Sequence, residues 1–569
     1  MFEQLPKQVE LVYDWTWDSY QPYFDDLLAR ELNAGTIEAW LQDWSTVSKV
    51  LHETYARLSV ATTVDTSDEL AQKRYFTFLE QIVEPGETAN NLLERKWVDS
   101  GITPSGYEVT LRAMRHNIAQ FREENLSLKT ELNKLGNEYD AIVGKMTVEW
   151  EGEEKTLAQL DTVLLETNRQ RREQAWRLSH ERRIADRETL DALWVKMLGL
   201  RLTIAAQANV ADFRAYQWVE YARHDYTPQD IETFLASIRE VVVPAMMRLL
   251  EKRKQLLGLE TLRPWDMLVD PLADEPLKPF QTADELAHGV ATMFDRVDST
   301  LGGYYRIMLN EGLLDLDNRK NKAPGGYCTD FPVVARPFIF MNAVGIHDNL
   351  QTMLHEVGHA FHAFETSPLN YHLQQYPIEF AEVASMSMEL LAAPYLTKEE
   401  GGFYTKREAA RALLEHLMGN IYFWCYMSVV VAFQNWVYLN PEDASQPDRC
   451  DAKWLELWNI YLPGVDWSGL EAFQATGWQR KLHIYQIPFY YSEYGLAQLG
   501  ATLIWRNAQT DAPSAVLAYR KALALGNQVT LPELFETAGA KLGFDVETVS
   551  LAVELTERKI NELFSLLEA

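Results

Sequence analysis

His355 and His359, separated by Glu356, Val357 and Gly358, are the residues of this chain whose types and spacing most directly imply chemistry. Residues four apart on a helix stand above one another on one face. The two imidazoles can therefore grip one metal ion, with Glu356 beside the place of a bound water. H-E-x-x-H on a helix is the arrangement that couples a metal-activated water to a carboxylate base for amide hydrolysis. Five residues acquire that meaning only with a third ligand, donors for the developing oxyanion, and a helix to carry them.

A catalytic zinc takes three protein ligands and keeps one position open. Candidates for the third are His362, Glu365, Glu379, Glu382 and Glu389. His362 lies seven residues beyond His355, about 10.5 Å further along a continuous helix. With metal–nitrogen distances of about 2.1 Å, it joins the other two only if the chain reverses. The glycine that makes such a reversal in H-E-x-x-H-x-x-G-x-x-H is absent from Ala363, Phe364 and Glu365. His362 therefore reads as a core or supporting histidine, and Glu365 points to a different face. That leaves the segment Ile378 to Leu390, where Glu379, Glu382 and Glu389 sit among small and apolar residues. Buried carboxylates are costly unless paired or coordinating a metal. Glu382 and Glu389, seven apart, share a face, so one can ligate while the other supports a ligand histidine. Spacing favours a glutamate from a separate helix and leaves Glu379 and Glu382 both open.

A second cluster runs from Trp478 to Tyr494 and contains His483, Tyr490, Tyr491 and Tyr494. Pro488 suits the first turn of a helix, where its missing N–H is not needed. Tyr490 and Tyr494 then share a face with Tyr491 beside them. Neutral O–H and N–H donors stabilise an oxyanion when preorganised, although aromatic residues at helical spacing commonly just fill cores.

The elements that must position these groups are mainly helical. Apolar residues at Leu111, Met114, Ile118, Phe121, Leu128, Leu132, Leu135, Tyr139 and Ile142 keep steps of three and four if Asn125 fills the vacant place. This stripe predicts one long helix packing on another helix of the same chain. Residues 147–157 alternate around Glu151 and Gly152, which predicts a β-hairpin. Helical patterns resume over 161–209, 228–257 and 283–311, and a soft boundary near 160 divides the chain into 1–160 and 161–569. Residues 325–345 predict two or three short strands directly before the HEVGH helix. An exposed strand edge there can pair with an extended peptide. From Asn349 the chain is again mostly helical.

The 53 basic and 82 acidic side chains leave a net charge of −29, which argues against nucleic acid or an anionic membrane as partner. The basic run from Arg169 reads as a solvated helix face paired with acidic neighbours. Three scattered cysteines, Cys328, Cys425 and Cys450, form no disulfide framework and fit a reducing compartment. The first twenty residues carry acids where a signal peptide needs an apolar core. The most apolar stretch, Ile421 to Phe433, is too short to span a bilayer and reads as a buried helix. A cytoplasmic location is expected.

Three segments together resemble the thimet oligopeptidase and oligoendopeptidase F family of zinc peptidases: HEVGH at 355–359, EFAEVASMSMEL at 379–390 and HIYQIPFYYSEYGLAQ at 483–498. Weaker similarity extends to ADFRAYQW at 211–218, YTPQDI at 226–231, and the GGYC and PFIFMN segments. The oligoendopeptidase F branch is the most similar. The resemblance implies one Zn2+ held by His355, His359 and Glu382, with Glu356 as general base. It implies His483 and the tyrosines 490, 491 and 494 as oxyanion donors. The thimet branch has a Gly-Tyr before its tyrosine cluster where this chain has Gln486-Ile-Pro-Phe, so the roles of the individual tyrosines do not carry over. The implied fold is an elongated, mainly α body with a deep central channel and a small β-sheet before the zinc-binding helix. The implied substrates are short unstructured peptides cut at internal bonds. A carboxy-end exopeptidase on the same site is the alternative activity, and a non-enzymatic helical scaffold the alternative class.

Overall fold

Helices carry most of the chain and gather into two compact units, each assembled from three stretches of sequence. The structure is a computed structural model and describes residues 1–568 apart from 274, 320 and 324. The first unit comprises Met1–Phe121, Lys278–Ala409 and Ala497–Leu542; the second comprises Arg122–Leu277, Ala410–Leu496 and the chain from Gly543 on. Residue 160, the boundary suggested by the change from hairpin to renewed helix, lies inside the short helix Leu157–Asp161 of the second unit.

The stripe from Leu111 to Ile142 is two helices, Glu108–Gln120 and Glu124–Gly144, and not the single helix its periodicity predicts. Phe121 between them is extended, with φ −58° and ψ 129°. Each half is buried against different partners. Leu111 packs into the core of the first unit, while the Asn125 amide donates to the Ile204 carbonyl at 3.1 Å in the second. A three-residue interruption leaves a rhythm of threes and fours intact, so periodicity alone does not reveal it. The hairpin at 147–156 forms as expected, with Trp150 opposite Glu153 and positive φ at both turn residues, Glu151 (55°) and Gly152 (84°). Two such residues give the turn whose twist matches the flanking strands.

In the first unit a three-stranded sheet stands before the HEVGH helix. Its central strand, Arg336–Ala343, pairs antiparallel with Tyr327–Phe331 and parallel with Leu314–Asp317. The parallel strand was not foreseen: four residues with two acids, LDLD, carry little strand signal. Buried Glu53 holds the tight turn between the two antiparallel strands, its carboxylate accepting from the Val333 N–H at 2.7 Å and the Val334 N–H at 3.2 Å. The strand Tyr327–Phe331 lies at an edge of the sheet.

The helix His347–Thr366 follows, entered through the Asn349 amide oxygen, which accepts the Val344 N–H at 2.8 Å. Leu350, Met353, Leu354, Val357, Ala360 and Phe361 form its buried stripe. It lies against the helix Ile378–Ala392 with almost nothing between the two backbones at Gly358. A Cβ on Gly358 would stand 2.5 Å from the Cα of Ser385 and 2.8 Å from the carbonyl oxygen of Ala384. Both obstacles are backbone, so Gly358→Ala forces the helices apart and destabilises the fold by about 1–3 kcal/mol. Thermal unfolding of the variant measures this.

In the second unit the apolar stretch Ile421–Phe433 lies within the helix Lys406–Leu439. By length and composition that helix could cross a membrane, and 56% of its most apolar 18-residue window is buried inside the protein. The run from Arg169 departs from a solvated face: Arg172 is buried and ion-paired with Asp266 at 2.9 Å, which Arg169 also meets at 2.8 Å.

Candidate active site

The close approach at Gly358 brings side chains of the two helices of the first unit together. His355 Nε2 lies 3.3 Å and His359 Nε2 3.6 Å from the same Glu382 oxygen, Oε2. The ligand atoms of His355, His359 and Glu382 all fall within 4.8 Å of one another. The two imidazoles stand nearly perpendicular, with ring centroids 5.0 Å apart. Two of the three donors are oriented from behind. Nδ1 of His355 donates to Glu389 Oε1 at 2.7 Å, which leaves Nε2 as the atom facing Glu382. The Ser385 hydroxyl donates to Glu382 Oε2 at 3.1 Å.

This donor set fits a divalent cation. An imidazole lone pair held 3.3 Å from a carboxylate oxygen is repulsive unless a positive charge lies between them. Without a metal, a proton fills that role. Despite burial, the carboxylates Glu382 and Glu389 draw the pKa of His355 well above its ordinary value. His359 goes the other way: burial pulls it down to about 4, leaving a neutral imidazole with a free lone pair. Two neutral-capable imidazoles and one carboxylate are the His₂Glu chemistry of a catalytic zinc.

Glu356 is buried, and burial together with the charges of Glu382 and Glu389 pushes its pKa up to about 7, against the lowering effects of His355 and of the Cys328 backbone N–H that donates to it. That N–H belongs to the edge strand Tyr327–Phe331. A carboxyl poised near neutrality is suited to take and return a proton.

The remaining third-ligand candidates are placed elsewhere. His362 is fully buried and stacks on Tyr376 at 3.5 Å between ring centroids. Glu365 is ion-paired with Arg520 at 2.8 Å. Glu379 is buried but does not belong to the converging trio. Glu389 supports His355 through Nδ1, so Glu389→Gln weakens metal binding by about ten- to a hundredfold while leaving the ligand set complete. Competition with a chelator of known affinity checks this.

In the second unit His483 and the tyrosines form one cluster. The ring of His483 is 4.8 Å from Tyr491, 6.1 Å from Tyr494 and 6.2 Å from Tyr490. Pro488 does not open the helix, which begins at Tyr491. Phe489 stands instead at φ 68°, in the left-handed region. Its N–H donates to the Gln434 side chain, and its carbonyl accepts from Arg223 at 2.7 Å. Arg223 is in turn ion-paired with Glu493 at 2.6 Å, both side chains fully buried. This clamp turns Tyr490 back against Tyr494, with centroids 5.4 Å apart. Sequence reasoning missed the clamp and also Lys481, whose Nζ donates to the Tyr491 hydroxyl at 2.9 Å. An isolated Arg more than 250 residues from its partner leaves no local pattern.

A helix bearing H-E-x-x-H, paired with a second helix that presents a carboxylate, in a mainly helical chain, is the arrangement of a helical metallopeptidase. The chain belongs to peptidase family M3, whose family model matches residues 163–547. It is 23% identical over 349 residues to Oligopeptidase PepF of Bacillus subtilis (strain 168), covering 60% of this chain and 50% of that protein. It is 24% identical over 379 residues to an oligoendopeptidase F homolog of Lactococcus lactis subsp. lactis (strain IL1403), covering 63% and 59%. The chain thus spans between half and three-fifths of the length of these curated relatives. A solved structure of a putative oligoendopeptidase F matches with a TM-score of 0.86 and 26% identity, over 98% of each chain. PZ peptidase A with an inhibitor matches in fold with a TM-score of 0.88 at 23% identity, over 99% of each chain.

Proposed function

We propose that this protein is a zinc-dependent oligoendopeptidase that cuts internal bonds of short, unstructured peptides. The observation that carries the reading is the convergence of His355, His359 and Glu382 within 4.8 Å beside a buried glutamate. Family membership and the resemblance of the three motif segments support it. A zinc ion in this cage supplies Lewis-acid polarisation of the scissile carbonyl and acidifies water towards neutrality. Glu356 accepts the attacking water's proton and returns it to the leaving amine. The N–H groups and carbonyls along the edge strand Tyr327–Phe331 suit backbone pairing with an extended peptide, which holds substrate with little regard to sequence. His483, Tyr490, Tyr491 and Tyr494 are taken as the oxyanion donors on the strength of the 483–498 motif, and the loss of one such donor costs about 10²–10³ in kcat. The three cysteines are free, in keeping with a reducing, cytoplasmic setting, and the charge of −29 disfavours nucleic acid or an anionic membrane as partner.

The test is an internally quenched peptide blocked at both ends, incubated with protein of measured zinc content. Cleavage at an internal bond, lost on chelation and restored by zinc, is the expected result. An intact blocked peptide alongside release of residues from a free carboxy end would make the protein an exopeptidase. Protein with no stoichiometric zinc and no cleavage would be a scaffold.

A further inference from the structure

The helix Arg169–Ala185 in the second unit holds a cation that peptide hydrolysis does not use. Most arginines on this helix are neutralised: Arg171 by Glu166, Arg177 by Glu173 and Arg182 by Asp186, besides the two on Asp266. Among the described residues Arg183 has no ion-pair partner within 4.0 Å, and neither has Arg480. Both line a cavity of about 220 Å³ whose other walls include Trp176, Trp458, Trp467 and Tyr422. At about 30 Å³ per water, that is room for a small organic molecule.

The lining is unbalanced in charge and in hydrogen bonding. Two guanidinium groups face a single acid, Asp161. Burial and the neighbouring charge of Arg480 pull the pKa of Arg183 down to about 10. In a chain with a net charge of −29 this recess therefore carries more positive than negative charge, two guanidinium groups to one carboxylate. The indole N–H groups of Trp458 and Trp467 find no acceptor either. The cavity thus offers donors, positive charge and aromatic faces, and few acceptors.

The complement of such a surface is an anion on an apolar body. A guanidinium fork matches a carboxylate with two parallel hydrogen bonds, and indole rings bury flat apolar groups. We propose that this cavity binds an organic carboxylate, the anion held by Arg183 and Arg480 and its apolar body lying against Trp176, Trp458 and Trp467. The carboxylate can be a free small acid or the carboxy end of a peptide.

Tryptophan fluorescence of the full-length chain, titrated with 3-phenylpropionate at constant ionic strength, tests this. The expected result is a saturable one-to-one change, with 3-phenylpropionamide binding about ten- to a hundredfold more weakly because it lacks the charge. Arg183→Gln and Arg480→Gln are each expected to weaken the acid by a similar factor and to leave the amide unaffected. Far-ultraviolet circular dichroism establishes that both variants are folded. Displacement of the probe by a short peptide acid, and not by its amide, would identify peptide ends as the natural occupant. Probe binding that resists the peptide acid would identify a free small acid. Equal binding of acid and amide, acid binding untouched in a folded double variant, or no saturable change would overturn the proposal. The readout is binding, so it stands apart from whether the protein cuts peptides.

Discussion

Glu356→Gln is expected to lower kcat by about 10²–10⁴ with zinc content unchanged. Glutamine keeps the shape and hydrogen-bonding reach of the side chain but cannot accept the water's proton. The proposed ligands His355, His359 and Glu382 are untouched, so metal analysis separates lost chemistry from lost metal. The variant also removes a titration. In the metal-free protein Glu356 is raised from 4.5 to about 7. A carboxyl raised in the folded state contributes stability that is complete below its unfolded pKa and is lost as the pH climbs through the folded value. Between about pH 4.5 and 7 the metal-free wild type should therefore lose stability relative to Glu356→Gln as the pH rises. Thermal unfolding of the two proteins side by side measures that difference. A zinc-loaded variant with near wild-type turnover would remove Glu356 as the base.

The helical class, the hairpin at 147–156 and the two antiparallel strands before HEVGH were legible in the sequence because each has a local cause: periodicity, a Glu-Gly turn, or short apolar segments broken by prolines and glycines. The pair His355 and His359 was legible because a helix fixes the relation between residues four apart. What escaped depended on distance along the chain. The break at Phe121 follows from the two halves of one stripe being buried in different units, and the stripe itself is silent on that. The third ligand could not be ranked by spacing, because Glu379 and Glu382 differ by less than one turn. Where the two helices meet at Gly358 and Ser385, it is Glu382 whose oxygen faces both imidazoles, a juxtaposition that spacing within one helix does not contain. Phe489 in the left-handed region, where a helix start at Pro488 was expected, is held by Gln434, Arg223 and Glu493. Those contacts span 55 to 270 residues and have no signature in the 483–498 segment.

Glu382→Gln should abolish both stoichiometric zinc and peptidase activity, while Glu379→Gln keeps both. The two positions were equivalent by spacing, which makes the pair a test of the geometry itself. Among the described residues Glu382 is the carboxylate whose oxygen faces both imidazoles, at 3.3 and 3.6 Å. A neutral amide there leaves two histidines and no anionic ligand. The effect should exceed that of Glu389→Gln, which removes support for one ligand and not a ligand. Stability supplies a readout independent of turnover: a ligand at a thousand times its Kd stabilises the folded state by about 4 kcal/mol. Added zinc should therefore raise the melting temperature of wild type and of Glu379→Gln, and leave Glu382→Gln unmoved. Removing this carboxylate also takes away one of the charges that hold Glu356 up. In the metal-free Glu382→Gln protein Glu356 should consequently ionise at lower pH, and the pH at which stability falls should drop with it. A variant that still binds zinc one to one and melts higher with it would move the third ligand off Glu382.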